Sequence, residues 1–118
     1  MNVLLVDDEA MMRKMMKASL QKRGFQVFDV ANGADALALS QQQQIDVLVT
    51  DVVMDDMDGW TLALSLVERY PGLPVLFMSG YPIDFDQHHQ KYGHCAFLAK
   101  PFQPADLADA IAELTRPA

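Results

Sequence analysis

The sequence is short of cysteine, of basic residues and of long apolar runs. Its 118 residues include one cysteine, Cys95, which excludes an intrachain disulfide and fits a reducing compartment. A formal net charge of −7 argues against non-specific binding to nucleic acid or to an anionic membrane. No apolar run approaches the roughly 18 residues of a membrane span, and the N-terminus has no secretion signature. These absences predict one cytoplasmic domain, residues 1–118, that contacts neither nucleic acid nor membrane directly.

Short apolar runs alternate with helical patterns along the whole chain. The predicted strands are Asn2–Val6, Phe25–Val30, Ile45–Asp51, Val75–Met78 and Ala96–Ala99. The predicted helices are Glu9–Arg23, Ala34–Gln43, Trp60–Tyr70, a short one starting near Asp84 and a last one opening at Pro104. The buried face of the first helix is expected to carry Met12, Met15, Met16 and Leu20. This alternation predicts an α/β fold, a doubly wound parallel sheet with helices on both faces.

Polar side chains stand where four of the predicted strands end. They are Asp7 and Asp8 after the first strand, Asp51 at the third, Ser79 at the fourth and Lys100 at the fifth. Because parallel strands bring their carboxyl ends to one edge of a sheet, these side chains are expected to converge. Clustered carboxylates repel one another unless a cation compensates, and Mg²⁺ or Mn²⁺ takes oxygen ligands of this kind. The cluster predicts phosphoryl transfer, with Asp51 as a nucleophile that forms an aspartyl phosphate.

Five segments resemble the receiver domains of two-component response regulators. They are Leu4-Leu5-Val6-Asp7-Asp8-Glu9, Ala31-Asn32-Gly33 with Ala36-Leu37, Asp51-Val52-Val53-Met54 with Asp58-Gly59, Met78-Ser79-Gly80-Tyr81, and Lys100-Pro101-Phe102. The resemblance covers essentially all of the chain and implies a flavodoxin-like (βα)5 domain whose sheet has the order 2-1-3-4-5. The run from Phe77 to Pro82 is similar to receivers of hybrid histidine kinases. This favours an excised domain over a stand-alone receiver that starts at Met1.

The resemblance also implies how the acidic residues act. Asp51 would accept the phosphoryl group from a phosphohistidine. Asp8, Asp51 and the backbone carbonyl of Val53 would bind Mg²⁺ directly, while Asp7 would support the site partly through water. The partner would be a histidine kinase or a histidine phosphotransfer domain. Such a receiver is a signalling switch, not an enzyme, since it catalyses only its own phosphorylation and dephosphorylation.

The same resemblance implies a second set of residues that report phosphorylation. Lys100 would pair with Asp51 and then with the phosphoryl group. Ser79 would hydrogen-bond a phosphoryl oxygen, and Phe97 would change rotamer with it. The Lys100–Pro101 peptide is usually cis in this family. A downstream effector would bind the face made by the fourth predicted helix, the fifth strand and the last helix.

One position departs from the family pattern, and three alternatives need weighing. The residue after Met54 is usually proline but here is Asp55, which is expected to loosen the loop and to add a carboxylate near the site.

Asp56-Met57-Asp58-Gly59 resembles the Asp-x-Asp-Gly motif of haloacid-dehalogenase-type phosphatases, but that motif should follow the first strand. A docking module that is never phosphorylated is disfavoured by the complete residue set. Zinc binding by His88, His89, His94 and Cys95 is also disfavoured, and Cys95 is expected to be a small buried residue.

Overall fold

The computed structural model describes residues 1–81 and 91–116, which contain five strands and four helices. The strands are β1 (Asn2–Val6), β2 (Gln26–Val30), β3 (Val47–Asp51), β4 (Val75–Ser79) and β5 (Cys95–Ala99). The helices are α1 (Ala10–Lys22), α2 (Gly33–Gln42), α3 (Gly59–Arg69) and α4 (Pro104–Leu114). The short helix predicted to start near Asp84 falls largely on residues outside the described part.

All five strands run parallel in one sheet of order β2-β1-β3-β4-β5. Every residue of β3 and β4 is buried. Continuous apolar runs of this kind suit strands that helices cover on both faces, because neither face then meets water. The predicted fold and strand order are therefore confirmed.

Two apolar cores lie on opposite faces of the sheet, because successive side chains of a strand point to opposite sides. One core joins the sheet to α1 and α4 and contains Val3, Leu5, Val49, Leu76, Met16, Leu20, Leu107 and Ile111. The other joins it to α2 and α3 and contains Leu4, Val6, Leu48, Phe77, Ala36, Leu62 and Leu66. Each fully buried leucine contributes about 2 kcal/mol to the stability of this arrangement.

The buried face of α1 is narrower than predicted. Met16 and Leu20 are buried and Met12 is half-buried, but Met15 is 63% exposed. The stripe that faces the sheet runs through positions 12, 16 and 20 at the four-residue spacing of a helix face, so position 15 lies beside it. Cys95 is half-buried, not buried as predicted, because β5 is an edge strand with a neighbour on one side only.

Across residues 1–81 and 91–116, no helix has both the length and the apolar character needed to cross a membrane.

Candidate functional site

Ionisable side chains from three strands meet at the carboxyl edge of the sheet. The Lys100 Nζ donates to Asp51 Oδ2 at 3.1 Å and to Asp7 Oδ2 at 3.2 Å. Asp7 is fully buried, Asp51 is 8% exposed and Asp8 is exposed. Residues that lie up to 93 positions apart in the chain are thus brought into hydrogen-bonding contact.

The carboxylate of Asp7 is held between α1 and Lys100. The amide of Asp7 continues the sheet, since it donates to the carbonyl oxygen of Val30 at 3.2 Å. Its Oδ1 accepts from the amide of Glu9 at 2.9 Å, and its carbonyl oxygen accepts from Arg13 Nη1 at 2.7 Å. Every one of these contacts fixes Asp7 without involving Asp8, which leaves the Asp8 side chain at the surface.

A close backbone approach fixes the chain just after Asp51. The amide of Val52 donates to the carbonyl oxygen of Met78 at 2.9 Å. The amide of Gly59 donates to the carbonyl oxygen of Val52 at 2.7 Å. A Cβ atom added at Gly59 would lie 2.2 Å from the carbonyl oxygen of Asp51. Glycine at position 59 is therefore required for α3 to begin so close to the end of β3.

The site holds more negative than positive charge. Burial raises the pKa of the Asp51 carboxyl to about 6; Lys100 opposes this rise, and the charges of Asp7 and Asp8 add to it. Burial alone would lower the pKa of Lys100, but Asp51 and Asp7 raise it above its usual range, so the ammonium stays charged. A cation at this edge would relieve the remaining repulsion among the acids.

The oxygen atoms at this edge fit a divalent metal ion. One carboxylate oxygen from each of Asp7, Asp8 and Asp51 lies within 4.8 Å of the others. An all-oxygen, acidic set of ligands is what Mg²⁺ and Mn²⁺ prefer in proteins. The cluster therefore suits a hard divalent cation, bound close to Asp51.

A cavity of about 510 Å³ opens over these oxygens. It is lined by Asp8, Glu9, Asp51, Val53, Asp55, Gly80, Tyr81 and Lys100. Val53 is 53% exposed and Tyr81 is 68% exposed, so two large apolar side chains stand at its rim. Asp51 and Asp55 are both part of the wall of this cavity.

Ser79 and Phe97 lie at the end and in the middle of neighbouring strands. Ser79 is buried, and its Oγ accepts from the amide of Tyr81 at 3.0 Å while it donates to the carbonyl oxygen of Tyr81 at 3.2 Å. Phe97 is half-buried in β5, in register with Phe77 of β4. The Lys100–Pro101 peptide is cis.

An aromatic group lies behind the site on the α3 side of the sheet. The ring centroid of Trp60 lies 4.4 Å from that of Phe77 and 6.1 Å from that of Tyr92. The Tyr92 hydroxyl donates to the carbonyl oxygen of Trp60 at 2.8 Å. Trp60 therefore packs against the rings of Phe77 and Tyr92.

Two acids of the loop between β3 and α3 cap helices. The Asp58 side chain accepts from the amide of Thr61 at 2.8 Å, at the first turn of α3. The Asp56 carboxylate accepts from the amides of Gly33 and Ala34, at the first turn of α2. Sequence reasoning missed the role of Asp56, because its partners lie 22 and 23 residues away and only the folded loop brings them together.

Comparison with known proteins agrees with this geometry. The chain matches the response regulator receiver domain over residues 3–112. It is 37% identical over 115 residues to the sensor kinase CckA of Brucella abortus and 32% identical over 113 residues to the response regulator receiver protein CpdR of that organism. Each alignment covers 95% of this chain, but 12% of the length of CckA and 94% of that of CpdR.

Structural comparison gives the same result. The structure is similar to that of the chemotaxis protein CheY4 of Vibrio cholerae, with a TM-score of 0.90 and 30% sequence identity. The superposition covers 96% of this chain and 97% of that protein. The chain therefore belongs to the response regulator receiver domain family, whose members are signalling domains of two-component systems.

Proposed function

We propose that this receiver domain is a phosphorylation switch of a phosphorelay and that Asp51 is its phosphoacceptor. One observation carries the proposal: a nearly buried carboxylate of raised pKa lies 3.1 Å from an ammonium group and beside two further acids. Phosphoryl transfer depends mainly on the positioning of groups and on stabilisation of charge on the phosphoryl oxygens, and this arrangement can do both.

Asp8, Asp51 and the backbone carbonyl of Val53 would hold Mg²⁺ or Mn²⁺, and Asp7 would support it partly through water. When bound, the cation neutralises charge on the phosphoryl oxygens. Asp7 is suited to a supporting role, because the amide of Glu9 and the ammonium of Lys100 already fix both of its oxygens. Asp8 is suited to direct binding, because its side chain is exposed at the cavity.

In the reaction an oxygen of Asp51 attacks the phosphorus atom of a phosphohistidine. The new P–O bond forms as the P–N bond breaks, and the histidine side chain leaves with the electron pair of that bond. Lys100 stabilises the carboxylate before transfer and a phosphoryl oxygen after it. The side chains of Val53 and Tyr81 at the cavity rim restrict the approach of water, which extends the lifetime of the aspartyl phosphate.

The phosphoryl group would then change the partners of Ser79. Its hydroxyl exchanges the backbone of Tyr81 for a phosphoryl oxygen, and Phe97 changes rotamer in step. The two states differ at β5 and α4, and an effector that prefers one of them shifts the population.

The phosphodonor would be a histidine kinase or a histidine phosphotransfer domain. The cytoplasmic location stays a prediction from the single cysteine.

The test is labelling of the full chain with acetyl phosphate and Mg²⁺, followed by intact-protein mass spectrometry. We expect one phosphoryl group on the unaltered protein and none on Asp51→Asn. Asp46→Asn, which changes an acid at the opposite edge of the sheet, is the matched control and should label like the unaltered protein. Removal of the cation with EDTA should abolish labelling. Persistence of the label in Asp51→Asn would refute the proposal.

A further inference from the structure

The first turn of α2 is capped by two different segments of the chain. The side chain of Asn32 accepts from the amide of Asp35 at 2.8 Å, which is an ordinary local cap. The amides of Gly33 and Ala34 instead donate to Asp56 Oδ2, at 3.1 and 3.3 Å. The first three amides of α2, which have no partner within the helix, are thus all satisfied, two of them by the loop that follows β3.

Met57 strengthens the same contact. A Cβ atom added at Gly33 would lie 2.8 Å from Met57 Sδ, so the thioether already packs against the backbone of α2. Asp56 and Met57 therefore attach the loop to α2 by a charge-assisted pair of hydrogen bonds and by close packing.

The attached stretch of chain contains a proposed cation ligand. Val52 and Met54 are buried on either side of Val53, and the amide of Val52 is bound to β4. The loop is thus held at Val52 by the sheet and at Asp56 by α2, and Val53 lies between these two points. Proline at position 55 would restrict this stretch by fixing a backbone dihedral, but the chain has Asp55 there.

We propose that Asp56 is a positioning residue for the cation site: by holding the loop after β3 on the first turn of α2, it takes over the restraint that proline would give. The inference rests on the proposed function, because it concerns the same cation and the same Val53 carbonyl. Binding of the cation and closure of the Asp56 contact are then linked, so each favours the other by the same factor.

The test is isothermal titration of Mg²⁺ into the unphosphorylated full chain. Loss of a group that holds a metal ligand in place costs about 10-fold or more in affinity, so we expect the Kd of Asp56→Ala to rise about 10-fold. Asp56→Asn keeps an acceptor oxygen but loses the charge, and its Kd should fall between the two. Asp35→Ala is the matched control, since it removes an acid from the same helix turn without touching the loop; its Kd should change by less than about twofold.

Hydrogen exchange separates positioning from simple stabilisation of the helix. Mg²⁺ should slow exchange of the Gly33 and Ala34 amides in the unaltered chain and in Asp35→Ala, but not in Asp56→Ala. Asp55→Pro introduced into Asp56→Ala should recover most of the lost affinity. Equal Mg²⁺ affinities in Asp56→Ala and the unaltered chain would overturn the inference alone. Absence of Mg²⁺ binding by the unaltered chain would overturn the inference and the proposed function together.

Discussion

Polar groups differ in their surroundings between the carboxyl edge of the sheet, where the strands end, and the amino edge, where they begin. At the carboxyl edge, two nearly buried acids share one ammonium, and the pKa of Asp51 is raised to about 6 chiefly by burial. At the amino edge, the amide of Asn2 donates to Asp46 Oδ2 at 2.7 Å, and its side chain donates to the carbonyl oxygen of Gln44 at 2.8 Å.

Most polar groups at the amino edge contact backbone carbonyl oxygens of neighbouring segments. The amide of Val75 donates to the carbonyl oxygen of His94 at 2.9 Å, and the ring of His94 contacts the carbonyl oxygen of Leu114. His94 is exposed and Asp46 is half-buried, so water screens the charges there. At the amino edge, polar groups form hydrogen bonds between neighbouring elements. The carboxyl edge instead holds buried charges whose mutual repulsion lowers the stability of the protein, and a cation or a phosphoryl group can interact with these charges.

The largest effect is expected from Lys100→Met, which removes the ammonium from the carboxyl edge. Two nearly buried acids would lose their cation, and breaking a buried ion pair in this way costs about 3–5 kcal/mol of the free energy of unfolding at pH 7.5. Without Lys100 nothing opposes the effect of burial on the pKa of Asp51, so the loss should shrink at pH 5. Urea denaturation at both pH values measures it.

Arg116→Met is the control at the amino edge. Arg116 is 68% exposed and pairs with Glu113 on the surface, so its removal should cost less than about 1 kcal/mol. A similar loss for both variants, or a loss in Lys100→Met that does not depend on pH, would contradict the comparison.

Gly59→Ala should have the next largest effect. The added Cβ would lie 2.2 Å from the carbonyl oxygen of Asp51, which forces backbone to move and should cost about 3 kcal/mol. Among the described residues other than its two chain neighbours, no atom lies within 4 Å of a Cβ added at Gly93, which precedes β5 at the amino edge. Gly93→Ala should therefore be neutral or stabilise the protein by up to about 1 kcal/mol. Thermal unfolding of the two variants compares the edges directly, and equal losses would sink the argument.

The smallest effect has the opposite sign: Asp51→Asn should stabilise the protein when no divalent cation is present. The pKa of Asp51 in the folded protein, about 6, exceeds the ordinary value near 4, so the folded state holds this proton more tightly than the unfolded chain. The stability that Asp51 contributes is therefore complete below pH 4 and is lost as the pH rises through 6.

Above pH 7, Asp51→Asn should raise the free energy of unfolding by about 2 kcal/mol, and below pH 4 the gain should vanish. Asp46→Asn at the amino edge keeps an acceptor for the Asn2 amide and should change stability by less than about 1 kcal/mol at either pH. Urea denaturation in EDTA across this pH range measures both. A gain in Asp51→Asn that is constant with pH would mean that repulsion at the carboxyl edge is not its source.

The fold could be predicted because its strands are apolar runs with polar ends. Because β3 and β4 are buried along their whole length, they consist mainly of apolar residues, and such an apolar run can be recognised in a sequence. The meeting of Asp7, Asp51 and Lys100 then follows from parallel strands, since their carboxyl ends share an edge. Neither inference needs the shape of a loop.

What could not be predicted depends on loop shape and on packing depth. Asp56 is one of three acids in the loop between β3 and α3, and nothing in its local sequence shows that it reaches α2. The depth at which Asp51 is buried depends on how the elements around the end of β3 fold over it, which the sequence near Asp51 does not show. The exposure of Met15 likewise depends on how α1 is rotated against the sheet.

The aromatic group beside β4 has an optical consequence. Trp60 is the only tryptophan of the chain, and it lies against Phe77, which is in register with Phe97. Indole emission from the whole protein thus originates next to the loop that follows Asp51. A change in the conformation of that loop is therefore expected to alter the intrinsic fluorescence of the protein, which can be measured without a dye.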